Sequence, residues 1–174
     1  MDKFFYQTSI KSSIHDTLKE MCISASNESW LAPTPINIPT LYFDESILLQ
    51  DEFLSEFMSK VVTKSVLFRL LPNIGYGWHV DRRRQCVINM LINVDIGTSY
   101  CLFTDKKPEI ESFPIYSINY IPEYYYLLNT KEFHSIYNLD KPRYILSIGI
   151  MQDGPIYSDV LEIVKELSEK RSWG

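Results

Sequence analysis

Residues 75–86 read Gly-Tyr-Gly-Trp-His-Val-Asp-Arg-Arg-Arg-Gln-Cys, and within them His79 and Asp81 stand two positions apart. In extended chain, alternate residues project to one side, so an imidazole and a carboxylate at this spacing can reach a single cation. The chain has three histidines, His15, His79 and His134. If His134 joins the pair from a distant strand, two imidazoles and one carboxylate make a facial triad, which leaves positions open on a non-haem Fe(II). Zinc hydrolases use similar ligands, so these three residues do not by themselves choose the metal. Arg143 adds a planar fork of donors that matches the two oxygens of a carboxylate.

The end of the strand-rich region suggests how these groups are arranged. Leu139-Asp140-Lys141-Pro142 reads as a hairpin loop that pairs Asn138 with Arg143, Ile136 with Ile145 and His134 with Ser147. One face then carries His134, Ser147 and Arg143, while Tyr144, Leu146, Ile148 and Ile150 make the opposite face apolar. Along such a row, His134 and Arg143 are roughly 13 Å apart, which is room for a small dicarboxylate.

His79-Val80-Asp81, then His134, then Arg143 on the following strand together resemble the signature of the Fe(II)- and 2-oxoglutarate-dependent oxygenases. The resemblance covers roughly residues 63–150 and is nearest to aspartyl/asparaginyl hydroxylase-like and phage-encoded members. Aspartyl β-hydroxylases themselves lack the carboxylate ligand that Asp81 would supply. The resemblance implies a double-stranded β-helix, the cupin-like jelly roll, with Fe(II) held by His79, Asp81 and His134. It also implies 2-oxoglutarate as cosubstrate, its distal carboxylate on Arg143, and O2 as oxidant. The reaction implied is hydroxylation of a small molecule or a protein side chain, with succinate and carbon dioxide released. Many members place serine or threonine two positions after the arginine, where this chain has Ile145. Ser147, two further on and nearer the metal end, is a candidate cosubstrate contact, while Asn89, Asn93 or Tyr100 from neighbouring strands are the candidates to assist Arg143, with Asn89 favoured. Tyr76 and Trp78, beside the metal loop, are candidate substrate-lining residues. Two other classes stay open on the residues alone: a cupin-like binding or structural protein without redox activity, and a Zn- or Mn-dependent hydrolase or isomerase.

The elements that must position these residues are mostly strands. Alanine occurs only at Ala25 and Ala32, against 12 tyrosines and 9 phenylalanines, a usage that favours sheets over packed helices. Short apolar runs bounded by turn residues predict strands at 64–71, 85–94, 99–103, 112–120, 123–128, 133–138 and 143–150. Helical spacing predicts helices over 12–23, 44–62 and 157–171, with a proline-rich connection at 31–40. The expected architecture is mainly β with flanking helices in a single domain: a helical buttress over 1–62, the β core over 63–150 and a closing helix within 155–172. His15 reads as a surface residue of the first helix. Arg82, Arg83 and Arg84 read as a solvent-facing turn, with receipt of an anionic substrate as the other reading.

Bulk properties narrow the partners. A net charge of −5 disfavours a nucleic-acid backbone binder, so no nucleic-acid partner is expected. Cys22, Cys86 and Cys101 are odd in number and widely spaced, which fits a reducing, cytoplasmic setting rather than a disulfide framework. No stretch has the length and apolarity of a membrane span, and a soluble protein is expected. Oligomeric state is open, the closing helix being a candidate surface for a second copy.

Overall fold

The computed structural model describes residues 2–32, 38–93, 95, 97–108 and 113–172. Two antiparallel sheets face each other. In chain order the strands are β1 (Phe5–Lys11), β2 (Thr40–Leu41), β3 (Thr63–Leu70), β4 (Ile74–His79), β5 (Arg84–Leu91), β6 (Ser99–Thr104), β7 (Tyr116–Ile118), β8 (Tyr124–Leu128), β9 (Phe133–Asn138) and β10 (Arg143–Met151). The helices are α1 (His15–Ser24), α2 (Glu52–Lys60) and α3 (Tyr157–Ser172). The larger sheet runs β1-β8-β5-β10-β3-β2 and the smaller β4-β9-β6-β7.

Alternation along the central strands of the larger sheet builds two separate interiors. Cys86, Ile88 and Met90 of β5, with Leu146, Ile148 and Ile150 of β10, pack outward beneath the three helices, against Leu18, Phe53, Phe57, Val160 and Val164. Each such aliphatic side chain contributes about 1.5–3 kcal/mol on burial. The intervening residues Val87, Asn89 and Leu91 of β5, with Ile145 and Ser147 of β10, turn the other way. There they meet the smaller sheet, whose Cys101, Phe103 and Ile136 complete the inner layer. The tyrosine run splits likewise: Tyr125 is buried towards the helices and Tyr126 towards the smaller sheet.

Several expectations are corrected. β9 and β10 do not form a hairpin. Both edges of β10 are occupied, by β3 and by β5, while β9 pairs with β4 and β6 in the other sheet. The 139–142 turn therefore carries the chain across the interior. The side-chain amide of Asn138 anchors that crossing, donating to the carbonyls of Leu70, Leu71 and Lys141. His134 and Ser147 consequently approach from opposite walls. The N-terminal segment is not solely helical either: β1 extends the larger sheet along β8, and β2 pairs with β3. The single helix expected over 44–62 is a 3-10 turn (Glu45–Gln50) followed by α2. They divide at Asp51, whose carboxylate accepts from the amide of Leu54 as an N-cap and from the amide and hydroxyl of Ser13. His15 is buried, its Nε2 2.6 Å from the carbonyl oxygen of Ile92, so it ties α1 to the end of β5 instead of facing solvent.

The strand expected at 112–120 narrows to β7, next to Pro114 and Ile115. Ser112, residues 33–37 of the proline-rich connection, Val94 at the end of one expected strand and Ile96 in the turn after it lie outside the described residues. Among the described residues no helix is long and apolar enough to cross a membrane.

Candidate metal centre

The centre begins with a bulge in β4. Tyr76 pairs with Ile136 and His79 with His134, so three steps on β4 match two on β9. One extra residue reverses the side-chain parity of the strand. Tyr76 and His79 therefore both face the cleft, with the tyrosine ring edge-on to the imidazole at 5.0 Å. Trp78 packs edge-on against Phe113 at 5.6 Å and is not among the residues that line the cleft.

His79 and His134 are direct cross-strand partners, with ring centroids 4.2 Å apart. Nδ1 of His79 lies 2.7 Å from the carbonyl oxygen of Gly77, and Nδ1 of His134 lies 3.0 Å from that of Glu132. A carbonyl only accepts, so both rings carry their proton on Nδ1 and leave the Nε2 lone pair available, the arrangement a metal-binding imidazole needs. Burial, reinforced by the neighbouring His79, pushes the pKa of His134 down to about 4, which keeps its ring neutral and able to donate a lone pair at neutral pH.

Asp81 follows β4 and is fixed through its backbone. Its amide donates to the carbonyl of Thr130 at 2.9 Å, and Nζ of Lys131 donates to its carbonyl at 3.0 Å. Its Oδ1 stands 3.8 Å from His79 Nε2, while Oδ2 faces Arg84 Nη2 at 2.7 Å. One ligand atom from each of His79, Asp81 and His134 falls within 4.8 Å of the others, a spacing that fits a shared divalent ion.

The cleft runs inward from this cluster between the two sheets, with about 860 Å³ of space including its open mouth. Ser147 and Asn89 face each other in register across β10 and β5 and line it, as does Ile145. Arg143 starts the same inward row of β10 and is 1% exposed. Its Nη1 donates to Ser99 Oγ at 2.8 Å, and its guanidinium carbon lies 4.8 Å from the centre of the Tyr120 ring. Its Nε and Nη2 are buried without a partner among the described residues. Two unpartnered donors of one guanidinium match the two oxygens of a carboxylate. Asn89 Nδ2 donates to the Tyr120 hydroxyl at 3.4 Å, and its Oδ1 is likewise buried without a partner.

Two neighbours of Arg143 escaped the sequence reading: Ser99, from the smaller sheet, and Tyr120, from the loop after β7. Nothing in their local sequence marks them, because only the facing of the sheets brings them to the arginine. Asn93 instead ties loops together, through the carbonyls of Asp95 and Pro142 and the amide of Tyr144, and Tyr100 is exposed. Of the arginine run, Arg82 and Arg83 face solvent as expected, while Arg84 turns into the cleft. Its inward parity could have been read from Val87 and Asn89 only by allowing for the irregular pairing of β5 with β10 at that end.

No family model matches the chain, and no curated protein sequence does. Solved structures do match. A prolyl-4-hydroxylase of Pseudomonas putida superposes with a TM-score of 0.65 at 11% identity, covering 86% of this chain and 93% of that one. A prolyl hydroxylase of Trichoplax adhaerens, in complex with a hypoxia inducible factor oxygen degradation domain peptide fragment, gives 0.61 at 12% identity over 86% of this chain and 83% of that one. A viral collagen prolyl hydroxylase from Paramecium Bursaria Chlorella virus-1, in a 2OG complex, gives 0.58 at 12% identity over 85% and 96%. At these identities the likeness speaks for the fold, a double-stranded β-helix, which agrees with the architecture expected from the sequence.

Proposed function

We propose that this chain is an Fe(II)- and 2-oxoglutarate-dependent dioxygenase that hydroxylates an unactivated C–H bond, with a protein or peptide side chain as the favoured substrate and a small molecule as the alternative. The observation that carries the reading is the pairing of two features between the same sheets. A triad of His79, Asp81 and His134 sits at one place, and a buried guanidinium with two donors unpartnered among the described residues starts the inward row of β10. His79, Asp81 and His134 are the proposed Fe(II) ligands. Bound there, the metal would activate O2 while 2-oxoglutarate loses carbon dioxide to become succinate, one oxygen atom going to succinate and the other to the substrate.

The chain's own residues bind and orient. Arg143, aided by Ser99 and standing over Tyr120, receives the distal carboxylate of 2-oxoglutarate. Ser147 and Asn89 lie along the row between the guanidinium and the triad and are proposed to contact the cosubstrate. Arg143 keeps donors free for a carboxylate among the described residues, and the cleft is apolar at Ile145 and Ile136, where the methylenes of the dicarboxylate would lie. Tyr76 at the triad is the proposed substrate-lining aromatic. Trp78, packed against Phe113 and not lining the cleft, is assigned a supporting role in β4. The fold likeness to three prolyl hydroxylases, one of them holding a peptide, favours a peptide side chain as substrate.

A cupin-like scaffold without chemistry has no use for a buried, half-satisfied guanidinium, which costs several kcal/mol of desolvation. A zinc or manganese hydrolase would use the triad but leaves Arg143 unexplained. The cytoplasmic placement in this reading rests on the three cysteines being free and buried. The test is turnover of 2-oxoglutarate: purified protein with ferrous iron and air is expected to form succinate, slowly even without a prime substrate, and His134→Ala to form none. Equal succinate from wild type and His134→Ala, or none from either while zinc alone is retained on purification, would sink the proposal.

A further inference from the structure

The ion pair between Arg84 and Asp81 has no part in the function just proposed, yet it touches the centre directly. Arg84 Nη2 reaches Asp81 Oδ2 at 2.7 Å, and the carboxylate's other oxygen is the one turned towards His79. The two side chains are 28% and 13% exposed, so the pair is sheltered. A second feature is built for the same contact. Gly149 lies on the inward row of β10 beyond Ser147, and a β-carbon placed on it would come within 3.0 Å of Arg84 Cδ and 3.6 Å of Cγ. The missing side chain is the channel through which the arginine stem crosses β10 to the metal loop. Arg82 and Arg83, both exposed, share neither feature.

We infer that Arg84 is a positioning residue that captures the second oxygen of Asp81, so that Asp81 offers the metal one oxygen and not two. This rests on the function proposed above. A facial triad is useful because three positions remain, two for a chelating cosubstrate and one for oxygen. A carboxylate is free to bind through one oxygen or both, and a second Asp81 contact would take a position that the cosubstrate needs. The guanidinium opposes that option by holding Oδ2 in a close ion pair, a contact of charge and not of an aligned hydrogen bond, an outer-sphere constraint of the kind that orients ligands in metal sites.

The experiment uses Co(II) as a spectroscopic stand-in for the metal, together with 2-oxoglutarate titrated into the Co(II) protein. Arg84→Met is expected to change the visible absorption of bound Co(II) and to weaken 2-oxoglutarate binding about tenfold or more, the usual consequence of losing an outer partner. Arg84→Lys, which keeps a cation with a less directional donor, should recover part of both. Gly149→Ala should move both readouts in the direction of Arg84→Met although Arg84 itself is unchanged, and it carries the test should Arg84→Met fail to fold.

A parental Co(II) spectrum together with 2-oxoglutarate affinity within about twofold of wild type in Arg84→Met would overturn the inference, since an outer-sphere constraint worth its place costs more than that. If wild type binds Co(II) at the triad, as shown by loss in His134→Ala, but never binds 2-oxoglutarate, the oxygenase reading fails and the spectrum alone decides the role of Arg84. If Co(II) does not bind at the triad at all, both fall together.

Discussion

At the scale of single residues, Arg143 shows how function can be separated from packing. The residue is 1% exposed, and among the described residues its guanidinium is met by Ser99 and the face of Tyr120 alone. A charge buried with donors to spare weakens a fold that has no ligand for it, whereas a ligand carboxylate turns the same donors into strong hydrogen bonds. Arg143→Met is therefore expected to hold or raise the melting temperature of the free protein, and to lower 2-oxoglutarate affinity by about 3 kcal/mol, roughly a hundredfold. Thermal melts with and without 2-oxoglutarate check both halves. A variant that melts well below wild type and still gains stability from the cosubstrate would show that Arg143 serves the core. At this scale the candidate residues were legible. His79, Asp81, His134 and Arg143 were all singled out because strand periodicity and side-chain chemistry are local properties. His15 was misread as a surface residue because a lone histidine on a helix carries no local sign of the Ile92 carbonyl that receives it.

At the scale of elements, the bulge in β4 decides whether the centre exists. Without the extra residue between Tyr76 and His79, one of the two would point away from the cleft. Gly77 supplies the means for a clean comparison, since a β-carbon on it meets nothing within 4 Å. Gly77→Ala is expected to leave metal binding and stability close to wild type. Deleting Gly77 restores the regular register and should abolish Co(II) binding by rotating His79 or Tyr76 out, with the far-ultraviolet circular dichroism of the sheets retained. Undiminished Co(II) affinity in the deletion variant would mean that the loop around His79, and not the register, sets the geometry. The strand itself escaped the sequence reading: glycines at 75 and 77 look like turn punctuation, and alternation fails where a bulge interrupts it.

For the whole molecule, one sheet serves two interiors, and the site depends on the interior it does not face. Leu146 is fully buried among the helices, on the opposite side of β10 from Ile145 and Ser147. Leu146→Ala is expected to cost about 2–5 kcal/mol and so to lower the melting temperature by roughly 5–15 °C. Below that transition, metal binding should persist, because the inward row stays paired to β3 and β5. Loss of Co(II) binding in the folded variant, measured well under its melting point, would instead show that helix packing sets the cleft.

The amino-acid sequence by itself determined the β-rich class, most strand positions, the closing helix and the residues able to do chemistry. Each of these follows from periodicity, turn residues and side-chain type within a short window. Only the tertiary structure decided that β9 and β10 part into different sheets, so that His134 and Ser147 face each other across a cleft instead of lying side by side. It alone placed Ser99 and Tyr120 around Arg143 and threaded Arg84 over Gly149 to Asp81. Those contacts join segments far apart in the chain, and their geometry depends on which edges of β10 are already taken, which no local pattern records.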